Sequence, residues 1–157
     1  MVDTTHRPQA VPVPFDAALV GDSMSRGIIS CPPETPLRVA ARMMATFGVH
    51  AIFVFGHQDG DEEAAGLWGV ISDLDLVAAT RLDLDTTTAG TTAVTPFVTV
   101  AADRPLGEAA ELMAQHGIAH LAVTDPLSRR PIGVISTLDV ARAVAAGTGV
   151  RETHPSA

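Results

Sequence analysis

The sequence predicts an α/β protein (α+β within each repeat) made of two β-α-β-β-α repeats packed through their sheets with pseudo-two-fold symmetry. The first observation behind this is a doubled string: Gly69-Val-Ile-Ser72-Asp-Leu-Asp75 returns 64 residues later as Gly133-Val-Ile-Ser136-Thr-Leu-Asp139. The second is that the likeness extends upstream at a shift of 69, laying Pro36-Leu37 on Pro105-Leu106, Met44 on Met113, Gly48-Val49 on Gly117-Ile118 and Val54 on Val123. The third is that helical spacing and continuous apolar runs follow one another in the same order in both copies. The five residues by which the two shifts differ fall in the polar stretch Gly56-His-Gln-Asp-Gly-Asp-Glu-Glu63, where a hairpin loop accepts an insertion at small entropic cost. Copies of roughly 60 residues bury little surface alone, so pairing them is the expected solution.

The elements follow in order. Ile28-Ile-Ser30 opens the first copy as a short strand, matched by Phe97-Val-Thr99 in the second. Thr35 reads as an N-cap with Pro36 at the first helical position, and Leu37, Ala40, Ala41, Met44 and Phe47 recur at helical spacing until Gly48 stops the run. Val49 to Phe55 and Gly66 to Ile71 read as two buried strands of a hairpin. Ser72 then caps a helix running through Leu74, Val77 and Ala78 to about Arg81. The second copy repeats this as a helix from Leu106 to Gln115 ended by Gly117, a strand from Ile118 to Thr124 and a turn at Asp125-Pro126. A strand from Pro131 to Ile135 and a helix from Ser136 to Ala146 ended by Gly147 complete it. The expected organisation is a loosely held tail over 1–15, a first repeat over 16–81, a linker over 82–88, a second repeat over 89–147 and a tail over 148–157.

Composition narrows the function classes. With 157 residues, 46% hydrophobic and 18% charged, the chain can build a core for one domain of two halves. A formal net charge of −8 argues against nucleic acid and anionic membrane surfaces as partners, since both need clustered basic side chains. The single Cys31 cannot close an internal disulfide, which fits a reducing cytoplasm. No apolar run approaches the roughly 20 residues that span a bilayer, and the opening residues lack a signal-peptide core.

In arrangement the chain resembles a tandem pair of cystathionine beta-synthase (CBS) domains, a Bateman module. Three strings carry the likeness: the leader Val20-Gly-Asp22-Ser-Met24 followed by Ile28-Ile-Ser30, the helix start Pro36-Leu37, and the closing signature at Gly69 to Asp75 and again at Gly133 to Asp139. The Ser in that signature sits at a helix N-cap, beside backbone N–H groups at the positive end of the helix dipole, where a phosphate oxygen is favoured. The Asp three residues on can accept both hydroxyl protons of a ribose diol. The resemblance implies that Asp75 and Asp139 hold ribose and that Ser72, Ser136 and Thr137 lie near phosphate. It also implies that the base slots between segments around Ile29-Ser30 and Val98-Thr99, giving two clefts where the halves meet.

A Ser followed by an acidic residue in the first turn is also plain capping chemistry, stabilising a helix by about 1 kcal/mol with no ligand. The second cleft is the better candidate on the residues, because Thr137 stands where the first copy has Asp73, whose charge repels phosphate, and because His120 adds a possible cation. The central strands, Ala51-Ile-Phe-Val54 and His120-Leu-Ala-Val123, lack the basic residue and the apolar-Pro-Val string common in the family. That favours AMP, ADP or an adenosine derivative without phosphate such as S-adenosylmethionine over a triphosphate, with ATP and NAD in the wider class to test. Phe53 and Phe55 suit core or dimer packing more than base stacking. His116 and His120 lie four apart, but Gly117 breaks the helix that would align them for a metal, and the acidic stretch from His57 reads as a solvated hairpin tip. No nucleophile elbow, Walker-type loop or Cys-x-x-Cys is present.

The expected function is therefore non-enzymatic: a regulatory module that needs no cofactor, binds an adenosine-containing small molecule and acts in trans on an unidentified target protein. Its helix faces, with Met43, Met44, Leu112 and Met113, suit a disc-like homodimer. The competing expectation is a ligand-free dimerisation scaffold of the same fold.

Overall fold

Two small sheets, each backed by its own helices, make up the computed structural model of the chain, which describes residues 15–57, 65–93 and 97–146. The first half holds β2 (Ser30–Cys31), α2 (Leu37–Phe47), β3 (Ala51–His57), β4 (Ala65–Ser72) and α3 (Asp73–Ala79). The second holds β5 (Thr99–Ala101), α5 (Leu106–His116), β6 (His120–Thr124), β7 (Pro131–Ser136) and α6 (Thr137–Ala146). In each half the short first strand runs parallel to the second, which pairs antiparallel with the third. The predicted β-α-β-β-α order is thus present twice. Three elements are absent from the sequence expectation: α1 (Val20–Ser23) and β1 (Ser25–Arg26) ahead of β2, and α4 (Ala89–Thr92) ahead of β5. The predicted acidic loop, apart from Gly56 and His57, lies outside the described residues, as do Gly147 and both tails except Phe15, which opens a 3-10 turn.

The leaders are exchanged. β1, which precedes the first repeat in sequence, pairs antiparallel with β7, so the second half's sheet has the order β1-β7-β6-β5. Ala18 and Val20 accordingly lie in the core of Leu106, Met113, Leu121 and Ile135, while Ala89 lies in the core of Leu37, Met44, Ile52 and Ile71. Close approach makes this exchange possible. A Cβ on Gly90 would lie 2.8 Å from Pro33 Cβ, and one on the equivalent Gly21 would lie 3.0 Å from the carbonyl oxygen of Ala102.

Exchange also corrects the expected helix start. Thr35 does not cap α2; Pro36 occupies the N-cap and makes no side-chain cap. The free N–H groups of the first turn go instead to main-chain carbonyls of the linker, Leu37 N–H to Thr87 at 2.9 Å and Arg38 N–H to Leu84 at 3.0 Å. In the second half Leu106 N–H donates to Ala18 of the N-terminal leader at 2.9 Å. The orphan donors that every helix start presents are met here by a distant stretch of chain rather than by a local hydroxyl. At the other end the prediction holds: Gly48 and Gly117 take the left-handed conformation, φ 64° and 63°, and close α2 and α5.

Each long helix buries the same three positions, Leu37, Ala40 and Met44 in one copy and Leu106, Ala109 and Met113 in the other. Fully burying each Leu contributes about 2 kcal/mol. Phe47, expected on that face, is exposed instead; it stands at the turn before Gly48, where the second copy has His116. Along the strands Ile52 and Val54 face their own helices, so alternation turns Phe53 to the opposite side, where it is fully buried outside both helical cores. Its equivalent is Ala122, also fully buried. This large-and-small pair lies on the faces through which the sheets pack. No helix among the described residues is long and apolar enough to cross a membrane.

Candidate ligand cleft between the halves

The doubled signature folds into two nearly identical capping boxes. Ser72 donates from both its N–H and its hydroxyl to Asp75 Oδ2, each at 2.7 Å, and Asp75 N–H donates back to Ser72 Oγ at 3.3 Å. The Ser136–Asp139 pair repeats this at 2.8, 2.8 and 3.3 Å. In both boxes one carboxylate oxygen is committed to the cap, and Oδ1 is the atom left to face a ligand. At Asp139 that oxygen has Arg142 at 3.5 Å; at Asp75 no protein donor reaches it among the described residues.

A cavity of about 430 Å³ opens beside the first box. One wall is Ser72, Asp73, Leu74 and Asp75, where β4 passes into α3; the other is Phe97 and Val98 before β5 and the turn His116 to His120 between α5 and β6. The volume lies in the usual range of small-molecule sites. Its walls come from different halves because the pseudo-two-fold axis sets the Ser–Asp end of one copy against the helix-to-strand turn of the other.

His120 is the central side chain of the far wall. Its Nδ1 is buried and has no hydrogen-bond partner. The ring stacks on His50 of the other half, centroids 6.5 Å apart and planes within 15°. His50 Nδ1–H in turn donates to Asp73 Oδ2 at 2.8 Å. Burial pushes the His120 pKa below the ordinary imidazole value, with the Asp73 carboxylate pulling the other way, His50 adding to the depression and Asp139 opposing it. The Asp73 carboxyl is held below its ordinary value, first by the His50 hydrogen bond and against a burial penalty. Asp73 is therefore an anion at neutral pH, and it sits in the cavity wall.

Of the sequence-proposed residues, Ser72, Asp75 and His120 meet in this cavity, together with Val98. Ser30 and Thr99 are exposed on the short parallel strands, opposite Phe53 and Ala122, and do not line it. Ser136 and Asp139 are half-buried at the second box. Thr137 lines a separate apolar hollow of about 230 Å³ with Met113, Ile118 and Val140. The sequence grouping of His120 with the Asp139 cleft is thus corrected: His120 faces the cavity of Asp75, whose far wall comes from the other copy. Sequence reasoning missed His50 as a partner of Asp73 and missed Phe97 and His116 as lining residues. The signal available was asymmetry at equivalent positions, since His50 answers to Ala119, and His116 to Phe47. Among the described residues no three His, Cys, Asp or Glu side chains converge as a metal site.

Two interlocked β-α-β-β-α repeats with a cleft between them define a tandem-repeat module of the kind built on internal two-fold symmetry. The CBS domain family model matches residues 20–81 and again 91–146, so the chain belongs to the CBS domain family as a tandem pair. Among solved structures it is similar to the CBS domain pair of protein MJ0100 in complex with 5′-methylthioadenosine and S-adenosyl-L-methionine. That similarity has a TM-score of 0.69 at 22% identity, covering 82% of this chain and 96% of that one. It is also similar to Hypoxic Response Protein I with two coordinated zinc ions, TM-score 0.62 at 27% identity over 80% and 98% of the two chains. A hexameric CBS-CP12 protein from bloom-forming cyanobacteria matches at TM-score 0.70 and 19% identity over 81% of this chain and 71% of that one. The curated proteins offer no match.

Proposed function

We propose that this CBS pair is a non-catalytic regulatory module that binds an adenosine-containing small molecule in the Asp75 cleft and passes the signal in trans to a target protein in the cytoplasm. The observation that carries the reading is the juxtaposition, in one cavity, of Asp75, whose Oδ1 has no protein donor among the described residues, and the His120 imidazole on the wall supplied by the other half. A carboxylate oxygen on one wall and aromatic side chains on the other suit a ligand that offers hydroxyl groups to the first and a flat heterocycle to the second. Asp75 Oδ1 takes the ribose, and the base lies toward Phe97, Val98 and His120. The adenosine derivatives held by the CBS pair of MJ0100 support this class of ligand. The second box, with Ser136, Thr137 and Asp139, is the subsidiary candidate. The reading includes no nucleic-acid or membrane partner. It includes a homodimer, formed not through the expected face of Met44 and Met113, which each half buries in its own core, but through the exposed helix positions Leu74 and Leu138, which are equivalent in the two copies and 72% and 52% exposed.

The closed capping boxes favour a second reading, a ligand-free dimerisation scaffold, because each Ser and Asp already satisfies the other. A thermal-shift panel of AMP, ADP, ATP, S-adenosylmethionine, NAD and adenosine separates the two. A ligand at 100 times its dissociation constant stabilises by about 2.7 kcal/mol. The sensor reading expects at least one to raise the melting temperature and Asp75→Ala to remove the shift. No shift at millimolar concentration supports the scaffold.

A further inference from the structure

We infer that the Asp75 cleft takes an adenosine ligand whose 5′ group is neutral or cationic, and that it discriminates against phosphorylated nucleosides. This rests on the reading of the cleft as an adenosine site. A phosphate needs either cations or unspent N–H donors, and among the described residues the cleft offers no arginine and few free N–H groups. Among the described residues its walls carry two carboxylates, Asp73 and Asp75, and two imidazoles, His116 and His120, but no arginine, and the chain contains no lysine. Asp73 already holds the nearest additional imidazole, that of His50.

The start of α3 has also spent most of its donors. Ser72 N–H goes to Asp75 Oδ2, Asp73 N–H to the His50 carbonyl at 2.9 Å and Asp75 N–H to Ser72 Oγ. With seven residues, α3 is too short to offer a strong dipole in their place. A phosphate seated here would meet carboxylate charge in a partly desolvated cavity.

The other Ser–Asp end shows what is missing. Thr137 replaces Asp73, and Arg142, 3.5 Å from Asp139 Oδ1, stands where the first copy has Ala78. One anion removed and one cation added make the two ends differ by two charges within otherwise matching capping boxes. A sulfonium or an uncharged 5′ substituent, by contrast, meets favourable or indifferent electrostatics beside Asp73.

Calorimetric titration of the intact chain at pH 8, where ordinary imidazoles are neutral, tests this with adenosine, S-adenosylmethionine and AMP as probes. Adenosine and S-adenosylmethionine are expected to bind at least about tenfold more tightly than AMP, the factor that one like charge a few ångströms away imposes in a partly solvated site. Asp73→Asn, with its fold checked by circular dichroism, is expected to close most of that gap by strengthening AMP. If AMP equals or exceeds adenosine, and Asp75→Ala removes the binding of both, the selectivity is overturned while the adenosine site stands. If none of the three probes binds, the selectivity and the adenosine site fall together.

Discussion

Gly90 lies where α4 crosses Pro33, and replacing it with Ala tests whether the exchanged leaders hold the halves together. The added Cβ would sit 2.8 Å from Pro33 Cβ, 3.1 Å from its carbonyl oxygen and 3.3 Å from its Cα. A proline ring and backbone atoms have no rotamer with which to retreat, so α4 must move out. That movement strains the Gly90 N–H bond to the Pro33 carbonyl, now 2.7 Å, and lifts fully buried Ala89 from its core. Overpacking of this kind costs about 1–3 kcal/mol. Gly107, in the first turn of α5 with nothing within 4 Å of its would-be Cβ, is the matched control. Ala there gains helix propensity and loses unfolded-state entropy, a stabilisation of about 0.5–1 kcal/mol. Urea unfolding followed by circular dichroism should show the midpoint falling for Gly90→Ala and rising for Gly107→Ala, each in a single transition because the two cores share exchanged segments. A Gly90→Ala midpoint at or above that of the unsubstituted protein, or a separate early transition for one half, would refute the interlocked account.

Because burial holds the His120 pKa below the unfolded value of about 6.5, the unfolded chain binds a proton that the folded one resists. Stability is expected to fall as pH drops through that value and to level off below the folded pKa, and urea midpoints between pH 8 and 5 should show a shallower slope in His120→Gln. Ser136→Ala removes the hydroxyl that bridges Asp139 Oδ2 and Asp139 N–H and is expected to cost about 1 kcal/mol in thermal unfolding. The double change Leu74→Ser with Leu138→Ser is expected to convert a dimer to a monomer in light scattering without lowering the monomer's helix content. A dimer that persists in this variant would count against the helix faces as the contact.

How legible was all this in the sequence? Whatever is local was legible. The doubled Gly-Val-Ile-Ser string marks both β-to-α transitions, and Gly48 and Gly117 mark both helix ends, because capping and left-handed turns depend on neighbours within a few positions. The start of α2 was misread because its cap is not local: Thr35 has the right chemistry, but the carbonyls of Leu84 and Thr87 arrive first from the linker. The same limit hid the leader exchange. Equivalence between Gly21 and Gly90 can be read from the shift of 69, whereas the half on which each leader docks is a property of the assembled fold. The site was half legible for that reason. Ser72, Asp75 and His120 were each named, but pairing His120 with Asp139 followed copy membership, and the cavity unites residues across copies.

Exchange of the leaders also governs the order in which the protein can form as it is synthesised. Ser25 pairs with Val134, a partner made 109 positions later, and Leu37 waits for the carbonyl of Thr87. A nascent chain carrying the first repeat alone therefore has a helix start without its cap and a leader without its sheet. Contacts this distant slow folding and leave apolar surface exposed meanwhile. The first half is completed when the segment through Ala93 emerges, and the N-terminal leader docks last, clasping the finished second sheet from the opposite end of the chain.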